Sequence, residues 1–196
     1  MEGQILNRVQ FHFDLDGTLL NTVDLHIESY RAAFKAMEIE WVDDLELYIR
    51  KGGKVSGIIN TINSKNIEDF IPTLLIAKNN YFRSNLSKVT PNESVIKLLG
   101  IFPQQNHLVT SAKHETVELL LASFNLQKNF KFIVSHESTS FYKPHPEPYL
   151  LSMNNSKESL FHIAIEDSAA GVESAQKAGM HVILASEIKD FISNFQ

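Results

Sequence analysis

Short apolar runs alternate with longer amphipathic stretches over most of this chain. Runs at 9–13, 107–110, 132–134, 160–165 and 181–184 have strand length, and most end in polar or acidic residues. Between them, Val95, Leu98 and Leu99 in 92–99 recur at helical spacing, as do Val117, Leu120, Leu121 and Phe124 in 113–124. Segments 148–153 and 169–178 also read as helices, with Gly179 as a C-terminal stop. Strands that alternate with helices predict an α/β fold, a Rossmann-like doubly wound parallel sheet covered on both faces. Ligands of such sheets collect at the carboxyl ends of the strands.

The stretch 20–89 breaks this alternation. Helical patterns fill 24–37, a short piece near 43–49, 55–62 and 68–86, and no strong strand interrupts them. The expected organisation is therefore a core formed by 1–19 and 90–196, with a small all-helical cap, 20–89, inserted after the first strand. Hinges are expected near 20–22 and 88–91. The chain carries no internal repeat and no low-complexity tract.

Composition narrows the chemistry. With 196 residues the chain can build one core carrying a smaller insertion, and 43% apolar with 21% charged residues is the make-up of an ordinary globular protein. A formal charge of −5, with no Lys/Arg run, argues against a nucleic-acid surface. It leaves anionic substrates open, because a few local cations and a metal can dominate a pocket. Cysteine is absent, which excludes disulfide and thiolate chemistry. No apolar run approaches a membrane span, and residues 1–8 lack a signal peptide's apolar core, so a cytoplasmic protein is expected.

The densest chemistry lies in Asp14-Leu15-Asp16-Gly17-Thr18. Side chains two apart at the mouth of a strand point the same way, so Asp14 and Asp16 can face one reacting centre. Gly17 lets the backbone turn sharply out of the strand. One carboxylate can attack while its neighbour handles a proton, and two close acids call for a cation. Downstream come Thr110-Ser111 after an apolar strand, Lys143 before Pro144-His145-Pro146, and Glu166-Asp167-Ser168 after another strand. These four segments, in this order, resemble the haloacid dehalogenase superfamily of phosphohydrolases. The branch most similar contains β-phosphoglucomutase, phosphoglycolate phosphatase and small sugar phosphatases, and the resemblance runs from about Val9 to about Leu184.

The resemblance implies a phosphatase of small phosphorylated metabolites, a sugar phosphate or phosphoglycolate, acting through an aspartyl-phosphate on Asp14. It makes Asp16 the acid that protonates the leaving oxygen and then the base that activates water. An acid at that position also disfavours dehalogenation, since true dehalogenases lack it. Mg²⁺ is the expected cofactor, held by Asp14, Asp167 and the main-chain carbonyl of Asp16, with Glu166 acting through a bound water or by holding a ligand in place. A hydroxyl at a strand-to-helix turn, from Thr110 or Ser111, suits a phosphate, and Lys143 can steady the charge that develops on it. In the cap, the resemblance points to His26 and to the basic loop with Lys51 and Lys54 as contacts to the rest of the substrate. A phosphomutase is the rival within the family, and a non-catalytic phosphate-sensing or partner-binding protein is the rival outside it. Nothing in such a cap requires a dimer, so a monomer is expected. The other histidines, among them His12, His107 and His162, read as scattered singly; His12, inside a strand, needs a buried partner.

Overall fold

The computed structural model describes residues 8–42, 44–51, 67–103, 106–156, 158–159 and 161–193. It divides into two compact units, 22–90 and 1–21 with 91–196. In the larger unit the strands of the main sheet are β1 (Val9–Phe13), β2 (Asn106–Val109), β3 (Phe132–Val134), β4 (Phe161–Glu166) and β5 (His181–Leu184). They form one sheet in the order β3-β2-β1-β4-β5, and every adjacent pair is parallel. β1 therefore sits in the middle, flanked by β2 and β4. Its Phe11 and Phe13, the whole of β2, and Ala164 and Ile165 of β4 are buried. Strands covered on both faces read as nearly continuous apolar runs, which is why the sequence pattern located them. β2 and β4 are each offset by one residue from the sequence reading. β2 ends at Val109, leaving Thr110 beyond the strand, and β4 runs on through Glu166.

Helices in the chain order of the molecule are α1 (Val23–Ala36), α2 (Asp44–Arg50), α3 (Ile67–Ser84), α4 (Glu93–Ile101), α5 (His114–Ser123), α6 (Glu147–Asn154), α7 (Ala169–Lys177) and α8 (Ile188–Ser193). The first three belong to the smaller unit; the expected helix at 55–62 lies outside the described residues. α1, α2 and α3 close on a cluster of Tyr30, Ala33, Phe34, Leu45 and Leu74. Pro148 in the first turn suits the start of α6, where an amide proton would have no helical partner anyway. α7 opens on Ser168, whose hydroxyl accepts from Gly171 N–H at 3.1 Å. It closes on Gly179 at φ +85°, with Gly179 N–H to Gln176 O and Met180 N–H to Ala175 O. That left-handed exit with its paired bonds is what glycine permits there. Among the described residues no helix is long and apolar enough to cross a membrane.

The histidines are not all scattered. His12 on β1, His107 on β2 and His162 on β4 converge on one face of the sheet, beneath α6. Ser152 Oγ lies 2.7 Å from His12 Nδ1 and 3.1 Å from His107 Nδ1, and His12 Nε2 lies 3.0 Å from His162 Nδ1. Parallel register makes this possible, since His12 stands opposite His107. Burial holds all three imidazoles below their ordinary range, His107 at about 4, so they are neutral at pH 7. Ser152 is fully buried and supplies the hydrogen bond between two rings. Ser152→Ala would strip a partner from His12 and from His107 at once. Urea denaturation should show a loss of about 1–3 kcal/mol, the range for orphaned buried polar groups.

Candidate active site

Three strand ends build the site. Asp14 follows β1 directly, and its N–H donates to Ile165 O on β4 at 3.0 Å, which carries the parallel ladder one residue past the strand. The chain then turns at Gly17, φ +87°, where Gly17 N–H bonds Leu20 O at 2.8 Å. A Cβ on Gly17 would lie 2.2 Å from Asp167 Oδ2. The glycine is thus needed both for the turn and for the carboxylate packed against it. Thr18 Oγ1 donates to Asp167 Oδ1 at 3.0 Å, fixing that carboxylate from the β1 side.

Lys143 is buried at the centre of this arrangement. Its ammonium donates to Asp14 Oδ1 at 2.7 Å, to Glu166 Oε1 at 2.5 Å and to Val109 O at 2.9 Å. The loop that presents it is tied back by Glu147, whose carboxylate accepts Ser140 N–H at 3.2 Å and Phe141 N–H at 2.8 Å. Glu166, fully buried, also accepts Tyr149 O–H at 2.6 Å on Oε1. Its Oε2 accepts Asp167 N–H and Ser168 Oγ, both at 3.2 Å. Glu166 therefore organises Lys143 and the loop after β4, and little of its lone-pair capacity remains for anything else.

One ammonium serves several carboxylates, and the electrostatics follow. Burial pushes Asp14 well above the usual carboxylate range; Lys143 opposes that, and the charges of Glu166, Asp167 and Asp16 add to it. Burial, then Glu166, raises Asp167 to about 6. Burial would lower Lys143, but Asp14 and Glu166 outweigh it, so its pKa is raised and it stays charged. Asp14, Glu166 and Asp167 each offer an oxygen within 4.8 Å of the others, the one such group among the described residues. An all-oxygen, crowded, net-negative cluster is a donor set that a hard divalent cation fits, and Asp14 and Asp167 are the members with capacity to spare.

The remaining sequence-predicted residues divide. Asp16 is half-buried beside this group and pairs with Leu20 as an isolated bridge. Thr110 is buried at the end of β2, its hydroxyl accepting Ala112 N–H at 3.0 Å. Ser111 is exposed and does not cap α5, which starts three residues later with Lys113 as its cap residue. His114 N–H, at the head of that helix, is taken by Glu137 Oε2 at 2.9 Å, so the first helical amide is already occupied. In the smaller unit His26 stacks on Phe82 with centroids 4.5 Å apart, and Lys51 is exposed. Lys54 lies outside the described residues.

Thr18, Tyr149 and Gly171 were not assigned a role from sequence. Gly171 carried a signal, because glycine in the first turn of a helix costs stability unless something needs the space. Here a Cβ would lie 2.0 Å from the Glu166 carboxylate. Gly100, in α4, has nothing within 4 Å of the same position. Gly100→Ala should therefore stabilise the protein by about 0.5–1 kcal/mol. Gly171→Ala should destabilise it by about 1–3 kcal/mol by displacing a buried carboxylate from its donors. Paired thermal or urea unfolding of the two variants checks the opposite signs.

A family model described as haloacid dehalogenase-like hydrolase matches residues 12–185. The phosphorylated carbohydrates phosphatase of Thermotoga maritima is 28% identical over 179 residues, spanning 87% of this chain and 82% of that protein. The pyrophosphatase PpaX of Oceanobacillus iheyensis is 25% identical over 183 residues, 91% of this chain and 84% of that one. The crystal structure of CbbY from Rhodobacter sphaeroides, in complex with phosphate, superposes with a TM-score of 0.73 at 21% identity, covering 90% of this chain and 85% of that chain. That last likeness is one of fold. Because the family match takes in Asp14, Thr110, Lys143 and Asp167 together, the chain belongs to the haloacid dehalogenase-like hydrolases.

Proposed function

We propose that this hydrolase is a Mg²⁺-dependent phosphatase that releases phosphate from a small phosphorylated metabolite of the sugar phosphate or phosphoglycolate type. The observation that carries the reading is the buried Lys143 ammonium 2.7 Å from Asp14, at the carboxyl end of the central strand and beside Asp167. Relatives named as phosphatase and pyrophosphatase support it. Asp14 attacks phosphorus, the ester P–O bond breaks, and Asp16 gives its proton to the leaving oxygen. Asp16 then takes a proton from water, whose oxygen attacks phosphorus, and the acyl-phosphate bond breaks to return Asp14 and inorganic phosphate. Lys143 holds Asp14 ionised and oriented for its attack and offsets charge on the phosphoryl oxygens in both steps. Thr110 and Ser111 are the candidate holders of those oxygens.

Asp14, Asp167 and the Asp16 carbonyl would hold Mg²⁺, and Glu166 would fix the Asp167 loop and Lys143 rather than bind the ion directly. When bound, the ion would offset the excess negative charge of the cluster and of the phosphoryl group. Selectivity for the leaving group is assigned to the helical unit, with His26, Lys51 and Lys54 as its candidates.

A panel of phosphorylated metabolites, assayed for phosphate with and without Mg²⁺, tests the reading. At least one monoester should turn over without a bisphosphate activator, which separates hydrolysis from a phosphomutase. Asp14→Asn should lower the rate by more than about a thousandfold while leaving the fold intact. A folded, Mg²⁺-loaded protein that releases phosphate from no member of the panel would end the proposal.

Acid should weaken the metal. Asp167 must shed its proton to bind a cation, and burial, then the neighbouring Glu166 charge, holds that proton to higher pH than usual. Lowering the pH through the Asp167 value of about 6 therefore protonates a ligand. Calorimetric titration with Mg²⁺ should show affinity falling between pH 7 and 5, approaching about tenfold per pH unit below 6. Affinity that stays flat across that range would remove Asp167 as a ligand.

A further inference from the structure

Lys143 has three N–H donors, and all three are engaged, with Asp14, Glu166 and Val109. An ammonium in that state has no proton to offer a phosphoryl oxygen. One of the three bonds has to give way when negative charge builds on the transferring group. Releasing Val109 would orphan a buried carbonyl, and releasing Asp14 would free the attacking carboxylate to rotate. The bond to Glu166 differs from both. Its acceptor, Oε1, already holds a second donor, the Tyr149 hydroxyl at 2.6 Å.

We propose that Tyr149 is a positioning residue that keeps Glu166 Oε1 satisfied, so that Lys143 can transfer one hydrogen bond from Glu166 to the substrate's phosphoryl oxygen. The inference rests on the phosphatase reading above and adds a residue that does not touch the substrate. Tyr149 is held firmly enough to do this. It is fully buried, and its ring lies under the Lys143 ammonium, 5.0 Å from Nζ to centroid. The helix that carries it, α6, is anchored one turn later by Ser152 to His12 and His107. Phenylalanine would fill the same volume and keep the face of the ring beneath the ammonium. The hydroxyl is thus the one part of the side chain that packing does not explain, and its partner is the carboxylate that Lys143 would leave.

Tyr149→Phe separates positioning from support. With the best monoester of the panel and saturating Mg²⁺, kcat should fall about tenfold and KM should change less than about twofold, because the lost contact matters when charge develops. The melting temperature should move by less than about 4 °C. In a Lys143→Ala background, Tyr149→Phe should cost nothing further in kcat, since the residue acts through the ammonium. A Tyr149→Phe enzyme with wild-type kcat, a change confined to KM, or a large fall in melting temperature with unchanged kcat per folded molecule would each overturn the assignment. Should the double variant not fold, the split between kcat and KM decides alone. A wild-type enzyme inactive on the whole panel sinks the phosphatase reading, and this one with it; an active wild type with an unaffected Tyr149→Phe variant sinks this one only.

Discussion

The Lys143 ammonium lies between two carboxylates that water barely reaches, 2.7 Å from Asp14 and 2.5 Å from Glu166, with 6% of its own side chain exposed. Each member of such a set is stable only because the others are there. Deleting one partner of a buried pair typically costs about 3–5 kcal/mol, since the survivor is left charged and dry. That mutual dependence fixes the geometry tightly. Three acceptors confine Lys143 in the absence of substrate, and Asp14 cannot rotate without abandoning its cation. The set is also unbalanced, with one positive charge facing Asp14, Glu166 and Asp167. A cation bound beside this surplus of negative charge would lower the repulsion within the cluster, which ties the stability of the site to its proposed metal chemistry.

Topology brings these groups together. In a parallel sheet every strand ends at the same edge, so placing β1 between β2 and β4 sets Asp14, Thr110 and Glu166 side by side. Lys143 comes from a loop beyond β3 and reaches back to the carbonyl of Val109, the last residue of β2. Helix starts do less here than the strand ends. α5 begins late and has its first amide occupied, while α7 is capped by Ser168, a residue already bonded to Glu166. The anionic end of the sheet is thus shaped by side chains at or just past the strand ends, which hold position more rigidly than long loops do, and by Lys143 on a loop that Glu147 ties back.

Sequence alone revealed the parts of this site that are local. Asp14 and Asp16 sit two apart at a strand mouth, and the strand itself is visible as an apolar run. Lys143 stands out beside two prolines, and Glu166-Asp167 follows a second run. Tyr149 and Thr18 were not legible, because each acts on a residue whose proximity depends on folding. Thr18 meets Asp167 across 149 positions, and Tyr149 meets Glu166 across 17 with a strand between. The start of α5 was read to within one residue, but the group that satisfies its first amide was not legible: Glu137, from another loop, accepts the His114 N–H. A distant carboxylate can replace a local hydroxyl, and no local pattern records the exchange.

The histidine cluster shows the same limit and a further consequence. Three imidazoles at separate places in the chain become one network because parallel register sets β1 beside both β2 and β4. Ser152 has one proton, so it can donate to only one of the two rings it touches and must accept from the other. If it donates to His12, His107 must be the donor to it, and His12 must carry its own proton on Nε2 toward His162. The alternative reverses every bond. Either way each bond has one proton when all the rings are neutral, which is the state their burial imposes. This polar patch inside a sheet core is therefore satisfied without charge, and it grips α6 at Ser152, one turn from Tyr149. The same helix that the core fastens by histidines carries the hydroxyl that meets Glu166, so the packing under the sheet sets the geometry at its edge.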